Sequence, residues 1–282
     1  VATLVPLLLF TDVGREETLI IAMIVGFNVA LVEMISHSGN DNLLIPLTTY
    51  AFLATHMGLG IEQLRMNLVI LVVIFILVTI ANRVKAWSKL ALVETLVVGY
   101  LTITLYGIYA IIPPLILFLT VMRFPKVTEK EQHNLYDARI IETNVILGIA
   151  ICGIVAITGW KAEFFMIYSL VYSMHLAINT FVRLKYYFNL SEIDSMILSF
   201  AKGLCFIFLP SLVIQNLVFH KLPSLPMIVL MVICLLASCF MIYVQKKKVK
   251  KEEISIKNGY MHTEIVLVLT AIICFIQYFK IV

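Results

Sequence analysis

Charge is what this chain has least of. Asp, Glu, Lys and Arg make up 13% of its 282 residues, against 61% hydrophobic residues and a mean hydropathy of +1.01. No core formed by a water-soluble chain of this length could hide that much apolar surface, so the soluble classes are excluded. Strict apolar–polar alternation is missing as well, which excludes a transmembrane β-barrel. The five cysteines (Cys152, Cys205, Cys234, Cys239 and Cys274) all lie in apolar stretches without metal-ligand spacing, and they read as buried apolar thiols. The N-terminus lacks the basic segment of a signal peptide. Val1–Phe10 is too short to cross a bilayer and reads as the end of a helix, with further sequence expected upstream.

What is present is a series of apolar runs, several of roughly 18 residues or more, the length that crosses a membrane as a helix. The expected fold is therefore all-α, a polytopic transmembrane protein of about nine to ten crossings. Apolar helices are expected at about 18–36, 42–59 and 66–82, with 61–65 a short connector. The run Leu90–Met122 would be about 50 Å long as one helix, too long for a single crossing. Gly107 and Pro113-Pro114 interrupt it, and it is read as a hairpin of two shorter crossings turning around residues 107–113. After a polar loop at 123–141, further helices are expected at about 142–159, 163–182, 196–219, 226–244 and 262–282, with 183–195 a loop.

The basic residues test this count. With the hairpin in place, fifteen of the 21 Lys and Arg fall on one side of the membrane, including Arg83, Arg123, Arg139, Arg183 and the Lys246–Lys251 cluster. Four (Arg15, Arg65, Lys161 and Lys221) fall on the other. A single crossing in place of the hairpin would scramble that bias. The positive side is the cytoplasmic one, so the turn His37–Asn42 and the Lys246–Lys251 loop are expected in the cytoplasm, with a bacterial plasma membrane the expected location. The lysine cluster is an orientation signal that also attracts anionic lipid; nucleic acid is not an expected partner.

On this map Glu33, Asp41, Glu94, Glu142, Asp194 and Glu264 all lie near cytoplasmic helix ends. Boundary placement and helix dipoles account for such positions generally. A metal and phosphate site is the sharper reading for some of them. The stretch from Glu33 to Leu47 is the strongest case. Glu33 closes one apolar helix, the chain turns through Ser36-His37-Ser38-Gly39-Asn40, and Asp41-Asn42 open the next, with Pro46 inside it. An Asp or Asn N-cap is worth about 1 kcal/mol, but capping requires neither Glu33 nor two polar residues in succession. A carboxylate pair beside a helix N-terminus suits a Mg²⁺-bound nucleotide, with Asn42 on sugar, base or phosphate. Asn28, one turn and a half before Glu33, is read either as a helix-packing hydrogen-bonder or as lining the same cavity, and is included among the nucleotide-binding candidates.

Glu33, Ser36-His37-Ser38-Gly39 and Asp41-Asn42-Leu43-Leu44-Ile45-Pro46-Leu47 together resemble the terminal motif of the phytol kinase and dolichol kinase family. These polytopic enzymes use CTP to phosphorylate isoprenoid alcohols and are related to phosphatidate cytidylyltransferases. The resemblance covers about residues 18–57 and implies Glu33 and Asp41 as catalytic and Mg²⁺-binding residues, Asp41 and Asn42 as nucleotide-binding residues, CTP as phosphate donor and a lipid alcohol as acceptor. The family's upstream elements, an Asp-Ala pair and a Gly-Lys-Thr-x-Glu-Gly-like loop, do not occur in this sequence. A weaker resemblance covers the remainder, to the phytyl-phosphate kinase-like membrane proteins. Arg139 with Asn144, and Asn179-Thr180 with Arg183, stand in the order of that family's motifs, but Asn179 replaces an Asp and Arg183-Leu184 replace a Ser-Glu. The resemblances divide the chain into residues 1–60, the end of a kinase-like domain, and residues 61–282, a second membrane domain that has lost metal-holding carboxylates.

Of the remaining polar residues, His56 and His175 are expected to be paired within helix packing, and Lys202 to snorkel toward the cytoplasm while remaining the one helix cation placed to meet a phosphate. Three functions follow in order: a CTP-dependent lipid-alcohol kinase or its C-terminal part; a non-catalytic paralogue or partner subunit; and a transporter, which the lack of a counterpart to Pro113-Pro114 in a second half places last.

Overall fold

The computed structural model describes residues 3–35, 41–82, 89–122, 151, 155, 158–186, 188–246 and 269. The described residues form helices and no strands: α1 (Leu4–Phe10), α2 (Arg15–Ile35), α3 (Asp41–His56), α4 (Ile61–Asn82), α5 (Lys89–Tyr106), a 3₁₀ turn (Ile108–Ile111), α6 (Ile112–Met122), α7 (Lys161–Tyr186), α8 (Glu192–Gly203), a π turn (Leu204–Phe208), α9 (Leu209–Phe219) and α10 (Leu225–Lys246). The expected helices at 142–159 and 262–282, and the loop at 123–141, lie almost wholly outside the described residues. Contacts divide the chain into two compact units, residues 1–108 with 148–159, and residues 109–147 with 160–282. Residues 61–108 thus pack with 1–60.

Among the described residues four helical stretches are long and apolar enough to cross a membrane: Arg15–Met34, Ile61–Ile80, Phe164–Lys185 and Glu192–Phe219. Their burial runs opposite to that of a soluble protein. The most apolar, in α4, has 17% of its span buried, whereas the least apolar, in α7, has 94% buried. Val69, Val72, Val73, Phe75, Ile76, Leu77 and Ile80 of α4 all point outward. Ser169, Ser173, His175 and Thr180 of α7 are inside. Such an arrangement is stable where the surroundings are apolar and polar groups gain by facing one another.

In the first unit α2 is the centre, packing on α1, α3, α4 and α5. Its buried residues Ile21, Ile24, Val25, Asn28 and Val32 recur at three- and four-residue spacing, a single helix stripe. Arg65 pairs with Glu16 at 2.5 Å and with Glu62 at 2.8 Å, so the starts of α2 and α4 share one end of the unit. The Glu62–Arg65 pair also explains why 61–65 is the first turn of α4 and not a connector: exposed polar residues three apart support a helix. Between α3 and α5 lies a buried dyad. His56 Nδ1 is 2.7 Å from the Phe52 carbonyl, and Nε2 is 2.9 Å from the Tyr100 hydroxyl. A carbonyl only accepts, so in the neutral ring Nδ1 carries the proton and Tyr100 donates to Nε2. The ring of Phe52 stacks on that of Tyr100, 5.7 Å between centroids. His56 is thus paired, as expected. Tyr100→Phe keeps the stack and strands Nε2; it is expected to cost about 1 kcal/mol, measured as the unfolding midpoint in detergent.

The long run 90–122 is broken as the sequence suggests, but by the glycine. α5 ends at Tyr106, and Gly107 follows with φ +101°, a conformation costly for other residues. Pro113 and Pro114 sit in the first turn of α6, where a missing N–H costs nothing.

In the second unit α7 is central, packed by α6, α8, the π turn, α9 and α10. Helix structure takes most of 183–195, expected to be a loop. α7 runs on to Tyr186, and Ser191 caps α8, its Oγ accepting from the Asp194 N–H at 3.1 Å while its hydroxyl donates to Asp194 Oδ2 at 2.5 Å. Lys185 meets Glu192 at 3.4 Å across the turn. Asp194 therefore has a capping role. At the opposite end of α8, Gly203 lies against α7: a methyl group placed on it would stand 2.8 Å from the Ser173 carbonyl oxygen. The Ser173 hydroxyl donates to the Gly203 carbonyl at 2.8 Å. The π turn follows immediately, just ahead of Pro210, whose ring crowds the carbonyl four residues back. Gln215 of α9 donates to the carbonyls of Ala162 and Lys221, at 2.7 and 2.9 Å, and so ties the start of α7 to the turn after α9.

Candidate functional site

Two packed helices joined by five residues must run antiparallel, and α2 and α3 are such a pair. The last turn of α2, with Glu33, and the first turn of α3, with Asp41 and Asn42, consequently share one end of the hairpin. It is the end opposite the Glu16–Arg65 pair. Glu33 and Asn42 are exposed. Ser36 to Asn40 lie outside the described residues, and the side chain of Asp41 is likewise not described.

The helix termini weigh these two carboxylates differently. At the start of α3 a carboxylate faces the positive end of the helix dipole and unpaired N–H groups, a favourable place worth about 0.3–1 kcal/mol. At the end of α2 it faces unpaired carbonyls and the negative end, and the same term turns against it. Helix stability accounts for Asp41 and argues against Glu33. A cation between them reverses the sign for Glu33.

Pro46 adds a second unmet group at this end. It has no N–H to give the Asn42 carbonyl, and the first-turn N–H groups of α3 have no acceptor within the helix. Two carboxylates suit Mg²⁺, which commonly takes one or two carboxylates and completes its shell with phosphate oxygens and water, and N–H groups at a helix start suit the phosphate oxygens. Among the described residues no group of three or more His, Cys, Asp or Glu is placed to hold a metal by itself.

Asn28 is fully buried on the inner stripe of α2, its Nδ2 donating to the Ile24 carbonyl at 2.9 Å and its Oδ1 without a partner. Of the second-domain candidates, Thr180 is buried on α7, Asn179 and Arg183 are half-buried on the same helix, and Lys202 is half-buried in the last turn of α8. Arg139 and Asn144 lie outside the described residues.

His175 departs from expectation. It is fully buried on α7, and neither ring nitrogen has a partner. A buried polar atom left unmade costs about 1–3 kcal/mol. His175→Leu is therefore expected to raise the unfolding free energy by about 1 kcal/mol or more; a loss of stability instead would mean the imidazole has a partner.

Sequence reading also passed over Thr48, buried on α3 with an unpartnered hydroxyl, and the Ser173–Gly203 contact. The second had a visible signal: Ser195, Ser199 and Gly203 place a small residue at every fourth position of α8, the spacing of close helix approach. Comparison of the chain with known protein families, with curated proteins and with solved structures finds no match.

Proposed function

We propose that this protein, or the whole of which it is part, is a CTP-dependent kinase of a lipid alcohol of the phytol or polyprenol type, working in a bacterial plasma membrane. The observation that carries this reading is the hairpin end that Glu33, set against the helix dipole, shares with the Asp41-Asn42 opening of α3. The motif resemblance supplies the chemistry. The excess of basic loops supplies the orientation, with the His37–Asn42 turn and the Lys246–Lys251 loop in the cytoplasm, where the nucleotide is. Nine to ten crossings, including the hairpin expected within residues 90–122 of the sequence, follow from the same charge bias.

In this mechanism Glu33 and Asp41 would hold Mg²⁺, which would supply charge neutralisation for the triphosphate. Asn42 and the free N–H groups of the first turn of α3 orient the nucleotide. The alcohol oxygen bonds to the γ-phosphorus, the bond from that phosphorus to the β–γ bridging oxygen breaks, CDP leaves, and the alcohol proton passes to water at the exposed hairpin end. Positioning and charge neutralisation supply most of the rate. Membranes containing the full-length protein are expected to transfer label from [γ-³²P]CTP to phytol or a polyprenol; absence of labelled lipid phosphate overturns the reading.

A second reading applies to residues 61–282. Asn179 and Arg183-Leu184 stand where the resemblance calls for carboxylates, which favours a non-catalytic membrane scaffold or partner subunit for that part.

A further inference from the structure

Asn28 and Thr48 lie seven residues from the helix ends that the hairpin turn joins, Asn28 back along α2 and Thr48 forward along α3. In an antiparallel pair that puts them at one level. Both are fully buried, and each has a polar atom without a partner. The free atom on Asn28 is an acceptor: its Nδ2 is engaged by the Ile24 carbonyl, and the flipped amide would set oxygen against oxygen. Thr48 is unlike Thr49, Thr55, Thr79, Thr104 and Thr120, each of which returns its hydroxyl to the carbonyl four residues back at 2.6–3.1 Å. Its hydroxyl is left over.

A lone acceptor on one helix and a left-over hydroxyl at the same level of its packed neighbour complement a group that both donates and accepts. A phosphate brings only acceptors and is repelled by Asn28 Oδ1. A ribose brings several hydroxyls, while the buried residues one turn away along the two helices are apolar: Ile24, Val25 and Val32 on α2, and Ala51 and Phe52 on α3. A single hydroxyl on an aliphatic chain matches both the polar pair and its surroundings. We infer that Asn28 and Thr48 form a holding site for the hydroxyl of a long-chain alcohol, which donates to Asn28 Oδ1 and accepts from the Thr48 hydroxyl. Both residues are fully buried, so entry requires α2 and α3 to part. Asn28 is five residues before Glu33, about 7 Å along the helix, so the alcohol is held below the carboxylates and rises to them. The inference rests on the kinase reading for what the alcohol meets there, not for the binding itself.

The test uses the full-length protein in vesicles and two readouts. Farnesol carrying a diazirine on its chain, photolysed without nucleotide, is expected to label wild type and Thr48→Ser. Labelling should fall about tenfold in the near-isosteric Thr48→Val and further in Asn28→Leu/Thr48→Val, in proportion to the hydrogen bonds lost. In the transfer assay the same variants are expected to raise KM for the alcohol about tenfold and leave KM for CTP unchanged. Equal labelling of wild type and Thr48→Val overturns the holding site. Transfer by wild type with an unaltered alcohol KM in the variants overturns it too, and leaves the kinase reading standing. Site-dependent labelling without transfer leaves the holding site standing and overturns the kinase reading.

Discussion

Asp41→Ala is expected to reduce CTP-dependent phosphorylation of the lipid alcohol by at least about a hundredfold, while lowering unfolding free energy by no more than about 1 kcal/mol. The two magnitudes separate the roles open to this residue. As a helix-start anion, Asp41 contributes a fraction of a kcal/mol to α3. As a ligand of the metal that neutralises the triphosphate, its loss removes several kcal/mol of transition-state stabilisation. Asp41→Asn sharpens the distinction, because it keeps hydrogen-bonding capacity at the start of α3 and removes the charge; activity falls and stability holds. Glu33→Gln carries the opposite structural sign. It takes an anion away from the negative end of α2, so stability rises by a few tenths of a kcal/mol as activity falls. Label transfer from [γ-³²P]CTP and a detergent unfolding curve on the same preparations measure both quantities. Full activity in Asp41→Ala would overturn the role assigned to it.

The largest expected effect on stability belongs to Gly203→Ala. In an exposed helix interior that change gains up to about 1 kcal/mol, since alanine loses less backbone freedom. Here the new methyl group stands 2.8 Å from the Ser173 carbonyl oxygen, 3.1 Å from Ala177 Cβ and 3.3 Å from Leu235 Cδ1. Backbone cannot turn aside as a side-chain tip can, so α8 must move off α7, and the Ser173–Gly203 hydrogen bond is strained with it. Overpacking of this kind costs about 1–3 kcal/mol, and the clash outweighs the propensity gain. Gly26→Ala is the control: it lies within α2 with nothing within 4 Å of the added carbon, so it is expected to be neutral or mildly stabilising. Opposite signs for one substitution at two helical glycines, read from unfolding midpoints, check the argument.

The sequence and the structure agree most closely on the helices whose apolar runs are bounded by turn residues. α2, α3 and α10 begin and end within a few residues of their expected limits, because their ends coincide with abrupt changes from apolar to polar. The break near 107 was legible because Gly107 and two prolines stand close together. Its assignment was not, since a proline pair tolerated in a first turn looks in sequence the same as one that ends a helix. The loop expected at 183–195 was overestimated for a similar reason: Glu192 and Asp194 read as loop polarity until Ser191 is seen to cap them. At the candidate site, the motif from Glu33 to Asn42 was visible as an anomaly of polarity. The unpaired atoms of Asn28, Thr48 and His175 were not, because whether a buried polar group finds a partner depends on the facing helix. That information belongs to packing.

The inverted burial of α4 and α7 bears on how the chain is assembled. A segment as apolar as α4 enters a bilayer unaided and is stable there as a lone helix. α7 carries His175, Asn179 and Arg183 along with its serines, and those groups make it a poor solitary span. Of its neighbours in the bundle, α6 comes earlier in the chain, and α8, α9 and α10 come later. α7 must therefore await the synthesis of most of its own enclosure, and the centre of the second unit is completed by helices made after it.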